Sequence, residues 1–179
     1  NEGGSRRVGL LPLPPVAPFH RIEVDFKTNL PMREDGYTNI MFIIDTYSTY
    51  LISFPVRDVK AKTAVKVLID KVMCLFGLSV EILTDAGSTF TAEEFQEVCG
   101  VLGVKLSIAQ PFHHQTVGQV EQVIKTMMGM IAKALEDRPM SNWDEVLQPM
   151  TFAYNNTVHD TKNETPFFAM FHQQRIPRS

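Results

Sequence analysis

Hydrophobic and polar residues first alternate with the two-residue period of a β-strand. Residues 21–26 place apolar side chains at every second position, and Asp25 is one of the polar residues between them. A turn separates this strand from the continuous apolar run 39–45, which is typical of a strand buried on both faces. Residues 50–56 predict a third strand that ends at Pro55. Because the three strands follow one another closely, they indicate an antiparallel meander.

After residue 60 the period lengthens to that of an amphipathic α-helix. Residues 61–76 predict a helix that ends at Gly77, and Thr91 and Glu94 predict a capping box at the start of a helix over 91–102. The other predicted elements are, in chain order, strands 79–84 and 104–108, helices 118–136 and 142–154, and a short helix that starts at Pro166 with Thr165 as its cap. Helices alternate with strands only after the meander, so we expect an α/β fold in which helices cover both faces of a mixed five-stranded sheet.

The composition is that of a globular chain with one folded domain. The 179 residues are 44% hydrophobic and 21% charged, which excludes disorder of the whole chain. Residues 1–19 are rich in proline and glycine and lack periodicity, so we expect a linker or arm there and one domain over 20–179. No run approaches the ~20 apolar residues of a membrane span. The chain begins with asparagine, and we expect it to be part of a larger protein.

Two cysteines bear on the cellular compartment. Cys74 and Cys99 lie 25 residues apart within apolar runs and form no CxxC pair. This spacing supports neither a disulfide framework nor a zinc finger. We therefore expect two buried thiols in a reducing, intracellular compartment.

Three carboxylates occupy positions from which a rigid frame can aim them. Asp25 lies within a predicted strand, although aspartate is uncommon in strands, Asp85 closes the strand over 79–84, and Glu121 lies in the first turn of the helix over 118–136. Each has an ordinary alternative: an exposed strand residue, an Asx turn, and a favourable charge at a helix N-terminus. Together they supply the oxygen ligands that Mg²⁺ favours. Two such ions activate a water or a 3′-hydroxyl and stabilise the leaving oxygen of a phosphodiester.

The net charge argues at first against a nucleic-acid partner. The chain carries 17 Lys and Arg against 20 Asp and Glu, a net charge of −3, whereas nucleic-acid-binding domains are usually basic. The imbalance is local, since residues 81–100 contain five acids and no Lys or Arg, and residues 57–71 contain five basic residues and two acids. Two bound divalent cations would add +4 to the −3 and give about +1. The charge balance therefore does not exclude a nucleic-acid substrate.

Four stretches of the chain resemble the catalytic core of retroviral and LTR-retrotransposon integrases, closest to the Ty3/Gypsy type. They are PFHRIEVDF around Asp25, ILTDAGSTF around Asp85, HHQTVGQVEQ around Glu121, and AYNNTVHDTKNETPFFAMF at 153–171. Between Asp85 and Glu121 stand 35 residues, which is the family's D,D-35-E spacing. The resemblance implies an RNase H-like fold, 3′-end processing and strand transfer of element DNA into target DNA, and two Mg²⁺ or Mn²⁺ ions.

The resemblance also implies which residues hold the metal ions. Asp25 corresponds to the ligand that bridges both ions, and Asp85 and Glu121 correspond to ligands of one ion each. The same three residues are then the catalytic residues.

Further residues correspond to DNA contacts in the family. Gln115, Thr116 and Gly118 correspond to a loop before the catalytic helix that touches DNA near the scissile end. Lys125, one turn after Glu121, corresponds to a contact with element DNA, and an i,i+4 ion pair with Glu121 is the alternative.

Six positions depart from the family pattern, and they mostly lose polar or basic groups beside the expected DNA path. They are Ala86, His114, Val117, Gln122, Ile124 and Met128. These departures favour an alternative function, in which a domesticated integrase-derived domain binds protein or nucleic acid with weak or no catalysis. A nuclease of the RNase H type is a third alternative, but such enzymes place the helix-borne glutamate between the two aspartates in chain order.

The resemblance implies partners and a place of action. We expect DNA as substrate, both as element ends and as target, and self-association as a homodimer or higher homo-oligomer. A chromatin or host targeting protein is a further expected partner, no membrane is expected, and the nucleus is the expected location.

Overall fold

The structure is a computed structural model that describes residues 15–32, 34–109, 114–159 and 163–173, without the side chains of 114–119. Most of the proline-rich arm predicted for residues 1–19 therefore lies outside the described residues. None of the helices in the described ranges is long and apolar enough to cross a membrane.

Five strands form one mixed sheet, as the sequence predicts. They are β1 (Arg21–Lys27), β2 (Asn39–Asp45), β3 (Leu51–Val56), β4 (Glu81–Thr84) and β5 (Lys105–Ile108). Their order across the sheet is β3-β2-β1-β4-β5, with β1, β2 and β3 pairing antiparallel in series and β4 and β5 running parallel to β1. β1 is therefore central, and the carboxyl ends of β1, β3 and β4 lie at the same edge of the sheet.

The helices lie near their predicted positions, with local differences. They are α1 (Ala61–Val67), which continues through a π-helical segment (Leu68–Met73) into α2 (Cys74–Phe76), then α3 (Ser88–Thr91), α4 (Glu93–Leu102), α5 (His114–Ala134), a 3₁₀ turn (Met140–Asn142), α6 (Trp143–Asn155) and α7 (Pro166–Phe171). The predicted capping box is wrong. Ala92 is the N-cap of α4 without a side-chain cap, because Thr91 belongs to α3 and donates its hydroxyl to the Gly87 carbonyl oxygen.

The π-helical segment changes which side of its helix is buried. A regular helix would continue the apolar face to Leu75, but the wider turn of a π-helix shifts that face, so that Val72 and Met73 are buried and Leu75 is 73% exposed. Cys74 is exposed for the same reason. The prediction of two buried thiols is therefore confirmed for Cys99 and wrong for Cys74.

Each face of the sheet carries its own hydrophobic core. On one face, Val24 packs in a cluster that includes Phe95 of α4. On the other face, Phe42 packs in a cluster that includes Met127 of α5 and Leu147 of α6. Helices therefore cover both faces of the sheet, which confirms the predicted α/β architecture.

Side chains of α6 satisfy the outer edge of β3. Asn155 is buried, its Oδ1 accepts the Leu51 N–H at 2.8 Å, and its Nδ2 donates to the Leu51 carbonyl oxygen at 2.7 Å. Gln148 donates to the Ser53 carbonyl oxygen at 2.6 Å. Pro55 lies two residues after Ser53 and therefore also turns its backbone to the outer edge. Because proline has no N–H, no donor is left unpaired there, and β3 continues to Val56.

Replacing Asn155 by alanine is expected to lower the free energy of unfolding by about 2–3 kcal/mol, because it leaves the buried N–H and C=O of Leu51 without partners. Asn156→Ala is the matched control, since Asn156 is partly exposed and its side-chain amide donates to the Phe152 carbonyl oxygen of the same helix. Urea denaturation of both variants measures the difference. Equal midpoints for the two variants would contradict this account of the sheet edge.

Candidate active site

Asp25 and Asp85 lie side by side at the carboxyl edge of the sheet. β1 and β4 are parallel neighbours, and Val24 pairs with Thr84, so that the next residue of each strand is an aspartate. Asp25 is partly buried, and its Oδ1 accepts the Phe26 N–H at 2.7 Å. Asp85 is exposed, directly after the last residue of β4. The sheet thus holds two carboxylates next to each other on a rigid frame.

Gly87 fixes the turn that carries Asp85. Its N–H donates to Asp85 Oδ1 at 2.9 Å. A Cβ on residue 87 would lie 2.8 Å from the same oxygen, so that any side chain there would displace the Asp85 carboxylate. Gly87 therefore preserves the orientation of this carboxylate and does not supply a left-handed backbone conformation, since its φ is −61°.

Glu23 is a further carboxylate near this pair, two residues before Asp25 on β1. It is only 6% exposed, and its Oε2 has no hydrogen-bond partner among the described residues. Burial, then the charge of Asp25, raise the pKa of Glu23 to about 8; Arg21 opposes this rise and Asp85 adds to it. Burial also raises the pKa of Asp25, against the Phe26 hydrogen bond, and the charge of Asp85 adds to this rise.

Arg21 does not neutralise Glu23 because its side chain is bound to Glu81. Arg21 Nε donates to Glu81 Oε2 at 2.6 Å, and both side chains are buried. Ser107 and Lys105 complete the environment of Glu81 at 2.5 Å and 3.2 Å. Although burial raises the pKa of Glu81, these hydrogen bonds outweigh it and hold the pKa below its ordinary value. Of the two buried glutamates, Glu81 on β4 is therefore ion-paired, whereas Glu23 on β1 has no ion pair in the described part of the chain.

A signal for Glu23 exists in the sequence. The strand period places Glu23 and Asp25 on the same face, and a central strand with helices on both faces has no solvent-facing side. The alternation was correct, but the polar face of β1 is not exposed.

Glu121 lies on α5 and its side chain is exposed. The prediction of a helix that starts at 118 is wrong, because α5 begins at His114 and continues through Gly118, a residue that weakens a helix without ending it. Glu121 is therefore about two turns inside the helix rather than in its first turn.

The predicted DNA-contact residues on α5 lie differently from expectation. Gln115, Thr116 and Gly118 belong to the first turns of the helix rather than to a loop, and the side chains of Gln115 and Thr116 lie outside the described part of the structure. Lys125 is exposed. Among the described ion pairs none joins Lys125 to Glu121, so the alternative of an i,i+4 ion pair is not found.

The donor set at the carboxyl edge suits a magnesium ion. Mg²⁺ is bound by one or two carboxylates, with water and phosphate oxygens completing its shell, and Asp25 and Asp85 supply two such carboxylates. Among the residues that the structure describes, no group of three or more His, Cys, Asp or Glu side chains lies together as a metal site. The structure thus unites Asp25 and Asp85 and leaves Glu121 outside that pair.

The described parts of the stretch at 153–171, residues 153–159 and 163–171, belong to the scaffold rather than to the site. Asn155 holds β3, and the ring of His159 stacks on Tyr154 at 4.4 Å between centroids. Thr165 Oγ1 accepts the Phe168 N–H at 3.1 Å, which confirms the predicted cap of α7. Asn155, His159 and Thr165 thus serve as structural contacts of the fold.

Residues 15–114 match the family model described as the integrase core domain. The chain belongs to the integrase core domain family. The match includes both aspartates of the site, and the chain's own fold agrees with it.

Relatives of this integrase core are found within much longer polyproteins. The chain is 29% identical over 159 residues to the Pro-Pol polyprotein of feline foamy virus, and 27% identical over 157 residues to the retrovirus-related Pol polyprotein from transposon 412 of Drosophila melanogaster. Each alignment covers 88% of this chain and 13% of the polyprotein. The chain thus spans about an eighth of the length of these relatives.

Solved integrase structures share the fold of this integrase core. The HTLV-2 integrase catalytic core domain, in complex with magnesium in a trimeric form, aligns with a TM-score of 0.68 and 20% identity over 87% of this chain and 98% of that one. A chain of the simian T-cell lymphotropic virus intasome aligns with a TM-score of 0.73 and 20% identity over 90% of this chain and 57% of that one. The RNase H-like fold is thereby established.

Proposed function

We propose that this integrase core catalyses metal-dependent phosphoryl transfer on DNA, by processing 3′ ends of element DNA and joining them to target DNA. The observation that carries the proposal is the pair of carboxylates Asp25 and Asp85 at one edge of the sheet, on parallel neighbouring strands of an integrase core domain. The magnesium in the HTLV-2 core supports a divalent metal here. The proposed catalytic domain covers residues 20–179.

The chain's own residues position the reacting groups. Asp25, Asp85 and Glu121 would hold two Mg²⁺ or Mn²⁺ ions, which when bound supply charge neutralisation and an activated oxygen nucleophile. The Phe26 and Gly87 N–H groups orient the two aspartates, each through one carboxylate oxygen. For Glu121 to join them, the first half of α5 has to approach the sheet edge when metal and DNA bind.

The residues of α5 before and after Glu121 are proposed to contact DNA. Gln115, Thr116 and Gly118 precede it on the same helix, and Lys125 follows one turn later with an exposed side chain. Because DNA is the proposed substrate, the nucleus is the proposed place of action, with a chromatin or host protein that directs targeting.

An oligonucleotide assay tests this function directly. The full chain is incubated with a branched disintegration substrate in the presence of Mg²⁺, Mn²⁺ or a chelator. We expect product with either metal and none with the chelator. Absence of product with both metals, from folded protein, would overturn the catalytic proposal.

The position of Glu121 favours a second candidate function, that of a DNA-binding or protein-binding domain without catalysis. Its side chain stands outside the pair formed by Asp25 and Asp85. Binding of the same DNA measured by fluorescence polarisation, together with absence of product in the disintegration assay, would assign a DNA-binding function without catalysis.

We also propose that this integrase core self-associates through the groove between α2, β3 and α6. The groove has a volume of about 290 Å³, and Leu75 and Phe152 are among its lining residues. Both are largely exposed, at 73% and 64%, which is unusual for large apolar side chains placed close together. The dimeric and trimeric forms of the HTLV-2 core support self-association.

Replacing Phe152 by aspartate is expected to convert a dimer to a monomer, because a charge would have to be buried in the apolar interface. Sedimentation velocity at several protein concentrations measures the change. Val101→Asp is the matched control, since Val101 is 87% exposed on α4 and does not line the groove. A monomeric wild type at high concentration would exclude self-association, and a Phe152→Asp dimer would exclude this groove.

A further inference from the structure

An exposed arginine at the carboxyl end of β3 is held in place before any ligand binds. The Nε of Arg57 donates to the Asp35 carbonyl oxygen at 2.9 Å, and its Cζ lies 4.8 Å from the centroid of the Tyr37 ring. The Arg57 carbonyl oxygen accepts the Thr38 hydroxyl and the Asn39 amide, both at 3.3 Å. Backbone and side chain are thus both fixed, which is uncommon for an exposed arginine.

The outer end of this guanidinium is available to a ligand. In the described part of the chain, no side chain forms an ion pair or hydrogen bond with the two Nη groups of Arg57. The nearest acid in sequence is already used, since Asp58 Oδ1 accepts the Lys60 N–H at 3.0 Å and the Thr63 hydroxyl at 2.6 Å. The Nη groups therefore present a planar pair of donors, whose geometry matches two oxygens of one phosphate.

Arg57 lies at the same edge of the sheet as the two aspartates. β3 runs parallel to β1 because β2 pairs antiparallel with both, and two strand spacings separate β3 from β1, roughly 10 Å. Asp25 is level with Ser53 in the register, so Arg57 lies four residues farther towards the carboxyl ends, roughly 13 Å along the strand direction.

The segment that follows Arg57 is tied to α3, the helix after Asp85, since the Thr89 hydroxyl donates to the Val59 carbonyl oxygen. Exposed Lys60 lies in this segment. Arg57 and Lys60 thus form a cationic rim beyond the carboxylates, on the β3 side of the same edge.

The other arginines in the described part of the chain are already ion-paired. Arg138 is paired with Glu145, and Arg21 with buried Glu81. Arg57 instead has an aromatic ring and a carbonyl oxygen as partners, which hold its direction and leave its charge uncompensated.

We propose that Arg57 binds a backbone phosphate of duplex DNA at the carboxyl edge, with Tyr37 and Asp35 as its positioning residues. This rests on the proposed function only in taking DNA as the substrate. The DNA strand would pass over the β3 side of the site, opposite the side served by Lys125 on α5. A phosphodiester is the recognised group, so the contact carries affinity and orientation without sequence preference.

Fluorescence polarisation of the full chain with labelled duplexes tests the contact. We expect Arg57→Ala to weaken binding about tenfold and to reduce the slope of log affinity against log salt by about 1. Arg57→Lys should bind more tightly than Arg57→Ala but less tightly than the wild type, because it keeps the charge without the planar donors. Tyr37→Phe should keep the wild-type affinity. Tyr37→Leu should lower the affinity about threefold, because the aromatic ring beneath the guanidinium is gone. Arg138→Ala is the matched control, since it removes an arginine that is already ion-paired. It should leave affinity and slope unchanged.

Two duplexes distinguish the source of the phosphate. A dumbbell closed by hairpins offers no ends, and an open duplex offers them. Loss of affinity by Arg57→Ala for both duplexes assigns the contact to target-like DNA, and loss for the open duplex alone assigns it to element ends. Affinity and slope like those of the wild type on both duplexes, or an equal loss with Arg138→Ala, would overturn the proposal. The disintegration assay reports separately on catalysis, so that failure of one proposal is distinguishable from failure of the other.

Discussion

Replacing Asp25 by asparagine is expected to lower the rate of the disintegration reaction at least about a thousandfold, equivalent to ~4 kcal/mol of transition-state stabilisation. Asp25 is fixed on the central strand beside Asp85, and its loss removes a charge that no other described residue supplies at that point. Glu121→Gln should show a loss of the same kind if α5 brings its carboxylate to the metal. Product yield against time, with Mn²⁺ and with Mg²⁺, measures both variants.

The stability of Asp25→Asn separates loss of chemistry from loss of structure. Burial and the charge of Asp85 raise the pKa of Asp25, so its ionised form is unfavourable in the folded protein without metal. The variant should therefore melt at the wild-type temperature or above it. Asp70→Asn is the matched control, because Asp70 is exposed and forms an i,i+4 ion pair with Lys66 one turn earlier. Near-wild-type rates for Asp25→Asn would remove this residue from the catalytic set.

Stability without metal is expected to fall as the pH rises from about 4.5 to 8, and Glu23 is the main cause. Its pKa is about 8 in the folded protein, against 4.5 ordinarily, because the carboxyl group is buried beside Asp25. Between these values the folded state keeps a proton that the unfolded state has released, so each step to higher pH favours unfolding. Glu23→Gln removes this dependence, and at pH 8 we expect the variant to be more stable by about 3–4 kcal/mol.

Chemical denaturation in the presence of a chelator, at several pH values from 5 to 8, measures the effect of Glu23. The difference between the variant and the wild type should be small near pH 5 and should grow towards pH 8. Glu97→Gln, an exposed change on α4, is the control and should follow the wild type. A constant difference between Glu23→Gln and the wild type over this range would show that the carboxyl group does not titrate as described.

The strands and helices could be predicted from the sequence because each depends on neighbouring residues. The alternation at 21–26 fixed the faces of β1, and the apolar run at 39–45 matched the bounds of β2. Element ends were less predictable where a local signal competed with packing. Thr91 does not cap α4, because it belongs to the short helix α3. Likewise α5 does not begin at Gly118 but runs through it. The π-helical segment left no recognisable signal, since the apolar period of residues 61–76 is that of one continuous α-helix.

For the candidate site, the sequence by itself determined the residue types and the strand ends that carry them. Asp25 within a strand and Asp85 after one, with Glu121 at family spacing, could be read without coordinates. Tertiary structure alone decided which charges meet. Parallel pairing of β1 with β4 put Asp25 beside Asp85, and the bond from Arg21 to Glu81 left Glu23 unpaired. Spacing along the chain sets which face a side chain takes, whereas the surrounding fold sets its burial, its partners and hence its charge.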